Sequence, residues 1–590
     1  MSEQELLDEK TFVELFSKSE TEQLKLENQL FLEAKKLGVL SQFKKNYKAF
    51  KSKMAEKMVV DNSLNLPKCN YDIQNYDTGK YIVTINGIID SKTDYKFSYI
   101  PILPVERYIN QDTGKEKVKI IFYKENKWQE KIVNRSQLSV AQKLLALSDY
   151  GLDITSENVR YYVNYFNEIL NRNDIKKLQS VSHIGWQDDN FIPYDTKGIF
   201  DGEEDFSSIY NAISKKGNYE KWKTVVKELR KEKVMKIIMA VSLASPLLEK
   251  LGIQPYTVNL WSAMSGSGKT LTCMTAMSIW GNPGEGALRF SSNNTQNFYV
   301  AVASFMHNIT CYFDELQIVK NSKEFKRESL IMDLCNGTER GRLTKNSQTK
   351  EIKTWNNNFL FTNNDKLVRE NAGEQVYNRV IDIEIDKNIV GDHPVEIAKI
   401  IRNNYGYAGI DYIKYIKEIG FDTIFDRYKQ IYEEILEKAP ATEKQANALA
   451  TIVLADELAN KCIFEDKQIL KVDDILEYAN DKNEIKTSIK AMNYIVSIIS
   501  ANRNKFNDDN RYGECWGAIK GKDTGKGIVN YCKFNIEILK KELEKGGFEF
   551  DTVKKDWAEM GFLYKNSQGK YIHQTTVAGV SGIFAIFVLN

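Results

Sequence analysis

Proline, cysteine and histidine are scarce in this chain of 590 residues. Nine prolines exclude long proline-rich linkers, so we expect domains joined by short loops or helices. The seven cysteines form no CxxC pair and the four histidines are scattered, which argues against a disulfide framework and a structural zinc site. This pattern is typical of a protein of the reducing cytoplasm.

Long apolar runs and an excess of charge of one sign are also missing. The two most apolar runs, 237–248 and 577–589, fall short of the roughly 20 residues that span a bilayer, so we interpret both as core elements and expect no membrane partner. The acidic first residues contain no readable export signal. With 82 Lys and Arg against 80 Asp and Glu, the net charge of +2 argues against a uniformly basic nucleic-acid binder.

The composition, 42% apolar and 27% charged, is that of an ordinary globular protein, and the length predicts about four domains. Apolar spacing predicts helices over 12–57, and alternation predicts strands over 70–127. At 43–57 six lysines are interleaved with aromatic residues. That segment fits either contact with a phosphate backbone or a solvated helix that packs its aromatic residues inward, and the second interpretation is favoured.

A phosphate-binding loop is predicted at Ala263-Met-Ser-Gly-Ser-Gly-Lys-Thr270, which follows an apolar β run and precedes a helical run to Trp280. Glycines let such a loop point its backbone N–H groups and the helix N-terminus at a phosphate. Lys269 is predicted to reach the β and γ oxygens, and Thr270 to bind Mg²⁺. The predicted ATP-binding residues are Ala263, Gly266, Ser267, Gly268, Lys269, Thr270 and Asp314.

Two adjacent carboxylates, Asp314 and Glu315, end a β-rich run that begins at Ile309. Asp314 is predicted to hold Mg²⁺ together with Thr270, and Glu315 to orient and deprotonate the attacking water as general base. A second acid favours hydrolysis of the nucleotide over phosphoryl transfer to a metabolite.

Two further polar residues are predicted to belong to the same site. Asn363 ends the strand 358–362 and is expected to hold the lytic water, although asparagines after strands are often only turn formers. Arg379 precedes the strand 380–385 and is either a salt-bridge partner or, in a ring ATPase, an arginine finger that is supplied across a subunit interface.

A hairpin with a basic tip is predicted at 340–355, because two β runs flank Asn346-Ser-Gln348. Five basic residues and one acidic residue lie between Arg340 and Thr354. In a ring this hairpin projects into the pore, where Arg342, Lys345 and Lys350 are predicted to grip DNA phosphates. The alternative is a solvated hairpin.

The last residues are predicted to form a winged helix. Helices over 535–545 and 551–560 precede two expected strands, 562–565 and 570–576, around the turn 566–569. The second helix then presents Lys554 and Lys555 to a DNA groove, unless the domain serves in protein contacts or packing. The glycine- and lysine-rich segment 521–527 has the wrong spacing for a second phosphate-binding loop, and we interpret it as a flexible turn.

Together these features resemble an AAA+ ATPase of the helicase clade that includes the MCM and superfamily 3 helicases. They are the phosphate-binding loop, the acid pair, the basic hairpin, the strand that precedes Asn363, and Arg379. A closer resemblance is to the self-loading replicative helicases of mobile elements, of the staphylococcal cassette Cch and pathogenicity-island Rep types. The segments that carry this closer resemblance are Gly185-Trp186, Phe191-Ile-Pro193, Thr295-Gln-Asn297, Asp314-Glu315-Leu316 and Asn404-Tyr-Gly406-Tyr-Ala-Gly409.

The resemblance implies an α/β multidomain chain with an AAA+ core, a parallel sheet, a helical lid, an N-terminal α+β domain and a C-terminal winged helix. The expected domains are a helical segment (1–60), the α+β domain (61–205), the ATPase core (206–392), the lid or connector (393–500) and the winged helix (501–590). The lid segment 442–447 has no Arg where a sensing residue is expected, and Lys444 is a weak substitute.

The implied function is that of a cytoplasmic, homohexameric DNA helicase that uses ATP and Mg²⁺ to initiate replication of a mobile element. Its implied partners are single-stranded DNA in the pore, origin duplex and other replication proteins of the element. Asn293 or Asn294 is implied to couple DNA binding to the general base. The alternatives are a double-stranded DNA translocase, a primase-helicase, and a nucleotide-gated DNA-binding regulator.

Overall fold

The computed structural model describes the chain outside residues 1, 19, 61–63, 65, 112, 196–198, 203–205, 293, 317–326, 342–351, 370–371, 483–484, 508–512, 524–527 and 590. The chain divides into two compact units. Unit 1 comprises residues 1–182 and 197–203, and unit 2 comprises residues 183–196 and 204–590. None of the described helices is long and apolar enough to cross a membrane.

Unit 1 combines a helical bundle with two small sheets. Its helices are α1 (Glu3–Leu7), α2 (Glu9–Phe16), α3 (Glu20–Lys36), α4 (Leu40–Val60), α5 (Arg135–Ser139), α6 (Ala141–Leu144) and α7 (Val159–Arg172). Its strands are β1 (Tyr81–Thr84), β2 (Gly87–Asp90), β3 (Tyr95–Ser98), β4 (Ile102–Asn110), β5 (Glu116–Lys124), β6 (Lys127–Asn134), β7 (Lys177–Val181) and β10 (Ile199–Phe200). The strands form sheets of order β1-β2-β3 and β10-β7-β4-β5-β6.

The aromatic residues of α4 face the interior of the helical bundle. Phe43 and Phe50 are buried and pack on Phe12, with ring centroids 5.3 and 5.7 Å apart. Lys44 and Lys48 are exposed. The inward-packing interpretation therefore describes residues 43–50 of this helix, because burying aromatic rings is worth more than exposing them among lysines.

Unit 2 is built on a parallel sheet surrounded by helices. Its strands are β8 (Gly185–Gln187), β9 (Asn190–Ile192), β11 (Thr257–Trp261), β12 (Arg289–Ser291), β13 (Cys311–Asp314), β14 (Phe359–Asn363), β15 (Val380–Glu384), β16 (Gly517–Asp523), β17 (Ile528–Asn535), β18 (Ile572–Val577) and β19 (Val580–Leu589). Its first helices are α8 (Ser207–Ala212), α9 (Tyr219–Leu229), α10 (Lys233–Leu251), α11 (Lys269–Met277), α12 (Gln296–Met306), α13 (Arg327–Cys335) and α14 (Glu374–Tyr377). They are followed by α15 (Pro394–Asn403), α16 (Ala408–Ile419), α17 (Phe421–Lys438), α18 (Glu443–Ala459), α19 (Thr487–Ala501), α20 (Ile536–Lys545) and α21 (Phe550–Glu559).

The parallel sheet has the strand order β12-β13-β14-β11-β15. Its central strands are buried on both faces, as expected for strands with helices on each side. Helix α10 contains the apolar run 237–248 and is buried almost all round, which confirms that this run is a core element. The mixed α/β class with a parallel sheet is thus confirmed.

The C-terminal part contains α19, the sheet β16-β17-β19-β18, and the helices α20 and α21. The predicted strand 570–576 corresponds to β18, and a turn is present at 566–569. The predicted strand 562–565 and its pairing with 570–576 are wrong, since Leu563 forms only an isolated bridge with Phe587, and β18 pairs with β19 around Ala578-Gly579. Both turn residues have positive φ (50° and 78°), which matches a tight two-residue hairpin turn that the sequence analysis did not recognise. Residues 521–523 belong to β16 rather than to a turn, and 524–527 lie outside the described residues.

Candidate functional site

The phosphate-binding loop connects the central strand β11 to helix α11. Gly266 and Gly268 have φ values of 77° and 94°, a left-handed conformation that is strained for residues with a side chain. Gly268 is the N-cap residue of α11, so no side chain of this residue occupies the N–H groups of the first helical turn. A Cβ atom at Gly268 would lie 2.9 Å from Cγ1 of Val390, so this position also lacks space for a side chain. The loop therefore presents the positive end of a helix to a cleft.

The acid pair lies at the end of β13 and is held by Thr362 of the neighbouring strand β14. The Thr362 hydroxyl donates to Oδ1 of Asp314 and accepts a hydrogen bond from the backbone N–H of Glu315 at 3.1 Å. Glu315 is exposed and has a φ of 59°, a strained conformation of the kind that clusters at functional sites. Oδ2 of Asp314 lies 3.7 Å from Nη1 of Arg289 on β12. The sequence analysis missed both Thr362 and Arg289, which no motif distinguishes.

The two asparagines after β14 have different surroundings. Asn363 is buried, and its side-chain amide donates to Oδ1 of Asn259 at 2.8 Å, inside the sheet. Asn364 is exposed, and its Oδ1 accepts a 3.4 Å hydrogen bond from the ammonium of Lys269. Lys269 also donates to the backbone carbonyl of Ser262 at 3.1 Å. Of the two, Asn364 is the one whose side chain reaches the phosphate-binding loop.

The phosphate-binding loop, the acid pair and the two asparagines line one cleft of about 470 Å³, which we call the phosphate-loop cleft. All predicted ATP-binding residues line it, together with Glu315 and Asn363. Six other residues also line it that were not assigned a role in the sequence analysis: Ser265, Leu271, Thr362, Asn364, Val390 and Pro394. Parallel strands end at the same edge of a sheet, which is why these segments meet there.

The donor set of this cleft fits a nucleotide with Mg²⁺. Burial lowers the pKa of Lys269, while the charges of Asp314 and Glu315 act in the opposite direction. The Ser267 hydroxyl is buried in the loop without a hydrogen-bond partner. A desolvated ammonium and helix N–H groups suit phosphate oxygens, and a threonine hydroxyl with a carboxylate suits Mg²⁺.

Arg379 does not line the cleft. Its backbone carbonyl accepts a hydrogen bond from Thr257, the first residue of β11, so Arg379 lies at the amino edge of the sheet, opposite the phosphate-binding loop. Its Nη1 donates to the carbonyl of Gln375 at 2.9 Å, and its buried Nε has no partner. Burial lowers the pKa of Lys444, and the nearby charge of Arg379 lowers it further. Two cations are thus close together at this edge.

The structure describes only some of the residues that were predicted to contact DNA. Arg342, Lys345 and Lys350, like Asn293, lie outside the described residues. The residues that flank the predicted hairpin are paired: Thr338 and Thr354 form an antiparallel bridge, and Glu339 N–H donates to the carbonyl of Lys353 at 2.8 Å. On α21, Lys554 pairs with Asp551, and Lys555 lies 3.9 Å from Glu559. Asn294 donates to the Ser291 carbonyl.

Two family models match parts of the chain. Residues 73–354 match the family model described as a domain of unknown function, DUF927. Residues 486–583 match the model of the Cch helix turn helix domain. No curated protein sequence matches the chain.

One solved structure has a similar fold over most of the chain. It is titled "SCCmec type IV Cch - active helicase", is 18% identical, has a TM-score of 0.63, and covers 87% of this chain and 98% of its own. The apo structure of the NrS-1 C-terminal region (A form) is 11% identical over 83% of this chain and 97% of its own, with a TM-score of 0.32. The chain thus has a Cch-like fold and a Cch-type helix-turn-helix domain, and the predicted resemblance is confirmed.

Proposed function

We propose that this protein is an ATP-dependent DNA helicase that acts in the cytoplasm as a homohexameric ring and unwinds DNA to initiate replication of a mobile element. The observation that carries the proposal is the division of the parallel sheet. Its carboxyl edge bears the phosphate-binding loop and the acid pair, and its amino edge bears Arg379. This division favours an AAA+ core whose active sites are completed between subunits.

The cleft residues have complementary roles in ATP hydrolysis. Lys269 and the loop N–H groups bind the phosphates, and Thr270 and Asp314 hold Mg²⁺, which supplies charge neutralisation when bound. Glu315 removes the proton from the attacking water as general base. Thr362 orients both acids, and Asn364, with Asn363 behind it, positions the water.

Arg379 acts in trans as an arginine finger on the nucleotide of a neighbouring subunit. Helix α18 is bound to the same edge, because Nε2 of Gln445 donates to the carbonyls of Tyr377 and Val380 at 2.8 and 3.0 Å. Lys444, the residue before Gln445, is therefore a second cation for the same phosphate. An anion between two close, partly desolvated cations relieves their repulsion.

The basic hairpin couples hydrolysis to movement of DNA. Arg342, Lys345 and Lys350 grip phosphates of the strand in the pore, and the paired flanks at Thr338 and Thr354 favour the hairpin. Replacing Lys345 and Lys350 by Ala is expected to reduce unwinding far more than basal ATP hydrolysis. Equal losses in both would point to a folding defect.

A strand-displacement assay tests the helicase assignment. The full chain, ATP and Mg²⁺ are incubated with a duplex that carries either a 3′ or a 5′ single-stranded tail. Displacement from one of the two substrates supports the proposal and gives the direction of movement. Duplex-stimulated hydrolysis without displacement would indicate a translocase, and nucleotide binding without turnover would indicate a regulator. Particle images that lack six-fold rings would overturn the hexamer.

A further inference from the structure

The C-terminal sheet β16-β17-β19-β18 has two chemically different faces. One face packs on α19, α20 and α21 and contributes Cys532, Phe534, Ala585 and Phe587 to a buried core. Successive side chains of a strand point to opposite faces, so the intervening residues form the other face. We call this second face, with no helix of the core cluster on it, the outer sheet face.

The outer sheet face is basic around an aromatic ring. Lys520 pairs with Tyr531 across β16 and β17, and Lys522 and Lys533 follow two residues away along these strands. Lys520 and Lys522 are exposed, and Tyr531 and Lys533 are partly exposed. Lysines two residues apart on one strand are separated by roughly 7 Å.

The floor beside the lysines is apolar. Val588 pairs with Tyr531, and Ile586 pairs with Lys533, both from β19 and both partly exposed. Nζ of Lys533 reaches across to Oγ1 of Thr575 at 2.8 Å, which shows that these strands share the face. Among the described side chains of this face there is no carboxylate.

Helix α21, the second helix of the predicted winged helix, has the opposite character. Its lysines 554 and 555 have the acidic neighbours Asp551 and Glu559 on the same helix. Asp556 is exposed as well, so three carboxylates accompany two ammonium groups. Such a helix carries no net positive charge, and the affinity of a protein for phosphates is dominated by its net positive charge.

We propose that the outer sheet face binds single-stranded DNA, with Lys520, Lys522 and Lys533 on the phosphates and Tyr531 stacked on a base. A basic surface with an aromatic ring on an apolar floor is the combination that holds single strands, because every base has a face that stacks. The major groove of a duplex instead receives a protruding helix or ribbon, which a broad sheet face is not. The inference rests on the proposed function in taking DNA as the substrate, and it adds a contact outside the pore.

Nucleotide-free binding of the full chain to a labelled oligodeoxythymidylate tests the proposal. The variant Lys520→Gln with Lys522→Gln is expected to weaken binding about tenfold, and the slope of log affinity against log salt to fall by about 1.4, or roughly 0.7 for each lost phosphate contact. The matched control, Lys540→Gln with Lys541→Gln, removes the same charge from α20, which packs on the other face. It is expected to change affinity less than twofold.

A second pair of variants checks the stacking contact. Tyr531→Ala is expected to lose about tenfold in affinity, whereas Tyr531→Phe keeps the ring and the affinity. Thermal unfolding of each variant identifies any that is misfolded. Equal losses for the β16 and α20 lysine pairs, or a loss on duplex but not on single strands, would overturn the proposal.

The same assay decides between the two surfaces of the domain. A loss for Lys554→Gln with Lys555→Gln, without a loss for the β16 pair, would assign the contact to α21 and overturn the inference. ATP hydrolysis of the wild-type chain is measured in parallel. If the chain does not hydrolyse ATP but the Lys520→Gln, Lys522→Gln variant binds single strands more weakly, this inference is supported and the helicase is rejected. If the chain hydrolyses ATP but that variant binds single strands as well as the wild type, the helicase is supported and this inference is overturned.

Discussion

The two edges of the parallel sheet in unit 2 differ in what they hold. The carboxyl edge carries an ammonium, two carboxylates and helix N–H groups around a cleft of about 470 Å³. The amino edge carries Arg379 with an unpaired buried Nε, close to the charge of Lys444. The residues of the first edge fit a nucleotide with Mg²⁺, and the second edge carries positive charge. Under the proposed function, the difference corresponds to an active site that two copies of the chain complete.

The largest expected effect concerns the carboxyl edge. Lys269→Ala removes the only lysine among the described residues that line the cleft and is expected to abolish ATP hydrolysis, a loss of at least about 10³-fold. Steady-state phosphate release measures it. Lys250→Ala, on α10 outside the cleft, is the matched control. Turnover retained in Lys269→Ala would refute the assignment of the cleft.

The next prediction connects the two edges. Arg379→Ala and Glu315→Gln are each expected to lose about 10²–10⁴-fold in turnover, since one removes transition-state charge stabilisation and the other the general base. Mixing the two proteins is expected to restore part of the activity, because some interfaces then combine a wild-type Glu315 with a wild-type Arg379.

A mixture of Glu315→Gln with Lys269→Ala is the control for this complementation. Both of its defects lie at the carboxyl edge, so no mixed interface is intact unless the acid and the lysine come from different chains. Phosphate release is measured at several mixing ratios. Absence of recovery in the Arg379 mixture would leave Arg379 as a structural residue or imply that all subunits act together.

A smaller effect is expected for Thr362, which bridges β13 and β14. Thr362→Val keeps the shape but removes the hydroxyl that contacts Asp314 and the Glu315 N–H. We expect kcat to fall about tenfold and stability by about 1–3 kcal/mol, the cost of leaving a buried polar group unpaired. Thr362→Ser keeps the hydroxyl and is expected to retain both kcat and stability. An unchanged kcat in Thr362→Val would contradict the positioning role.

The smallest effects separate the two asparagines of the carboxyl edge. Asn363→Ala leaves the Asn259 side-chain oxygen without its donor, so we expect a loss of about 1–3 kcal/mol in unfolding free energy. The Asn364 side chain is exposed, so Asn364→Ala is expected to change the unfolding free energy by under about 0.5 kcal/mol while lowering kcat. Thermal unfolding and turnover of both variants are compared. The reverse pattern would assign the water to Asn363.

Local patterns predicted the elements whose signals lie in consecutive residues. Apolar alternation predicted strands over 70–127, where β1 to β5 lie, and the run 237–248 predicted a core element, which is the buried helix α10. The glycines and lysine of the phosphate-binding loop predicted their strand-loop-helix context correctly, although α11 ends at Met277 rather than Trp280. These predictions succeeded because hydrophobic periodicity and backbone freedom act within one segment.

Signals that depend on pairing between distant strands were missed. The turn at 566–569 was predicted correctly, but its two flanks do not form the predicted hairpin. Strand β18 instead pairs with β19 around Ala578-Gly579, and β19 is also held by β17. Strands β16 and β17 were not assigned, and the glycines and lysines of 521–527 were interpreted as a flexible turn although 521–523 belong to β16. Register in a sheet is decided by which apolar face is buried, and that face belongs to several segments at once.

The sequence by itself determined the chemistry available to this protein: a loop with the required glycines, a lysine, and a pair of acids after an apolar strand. These follow from residue types at short spacings. Only the tertiary structure decided that Thr362 holds both acids, that Asn364 rather than Asn363 reaches Lys269, and that Arg379 lies at the opposite edge. Strand order and register bring distant residues together or hold them apart, and neither is written in any single segment.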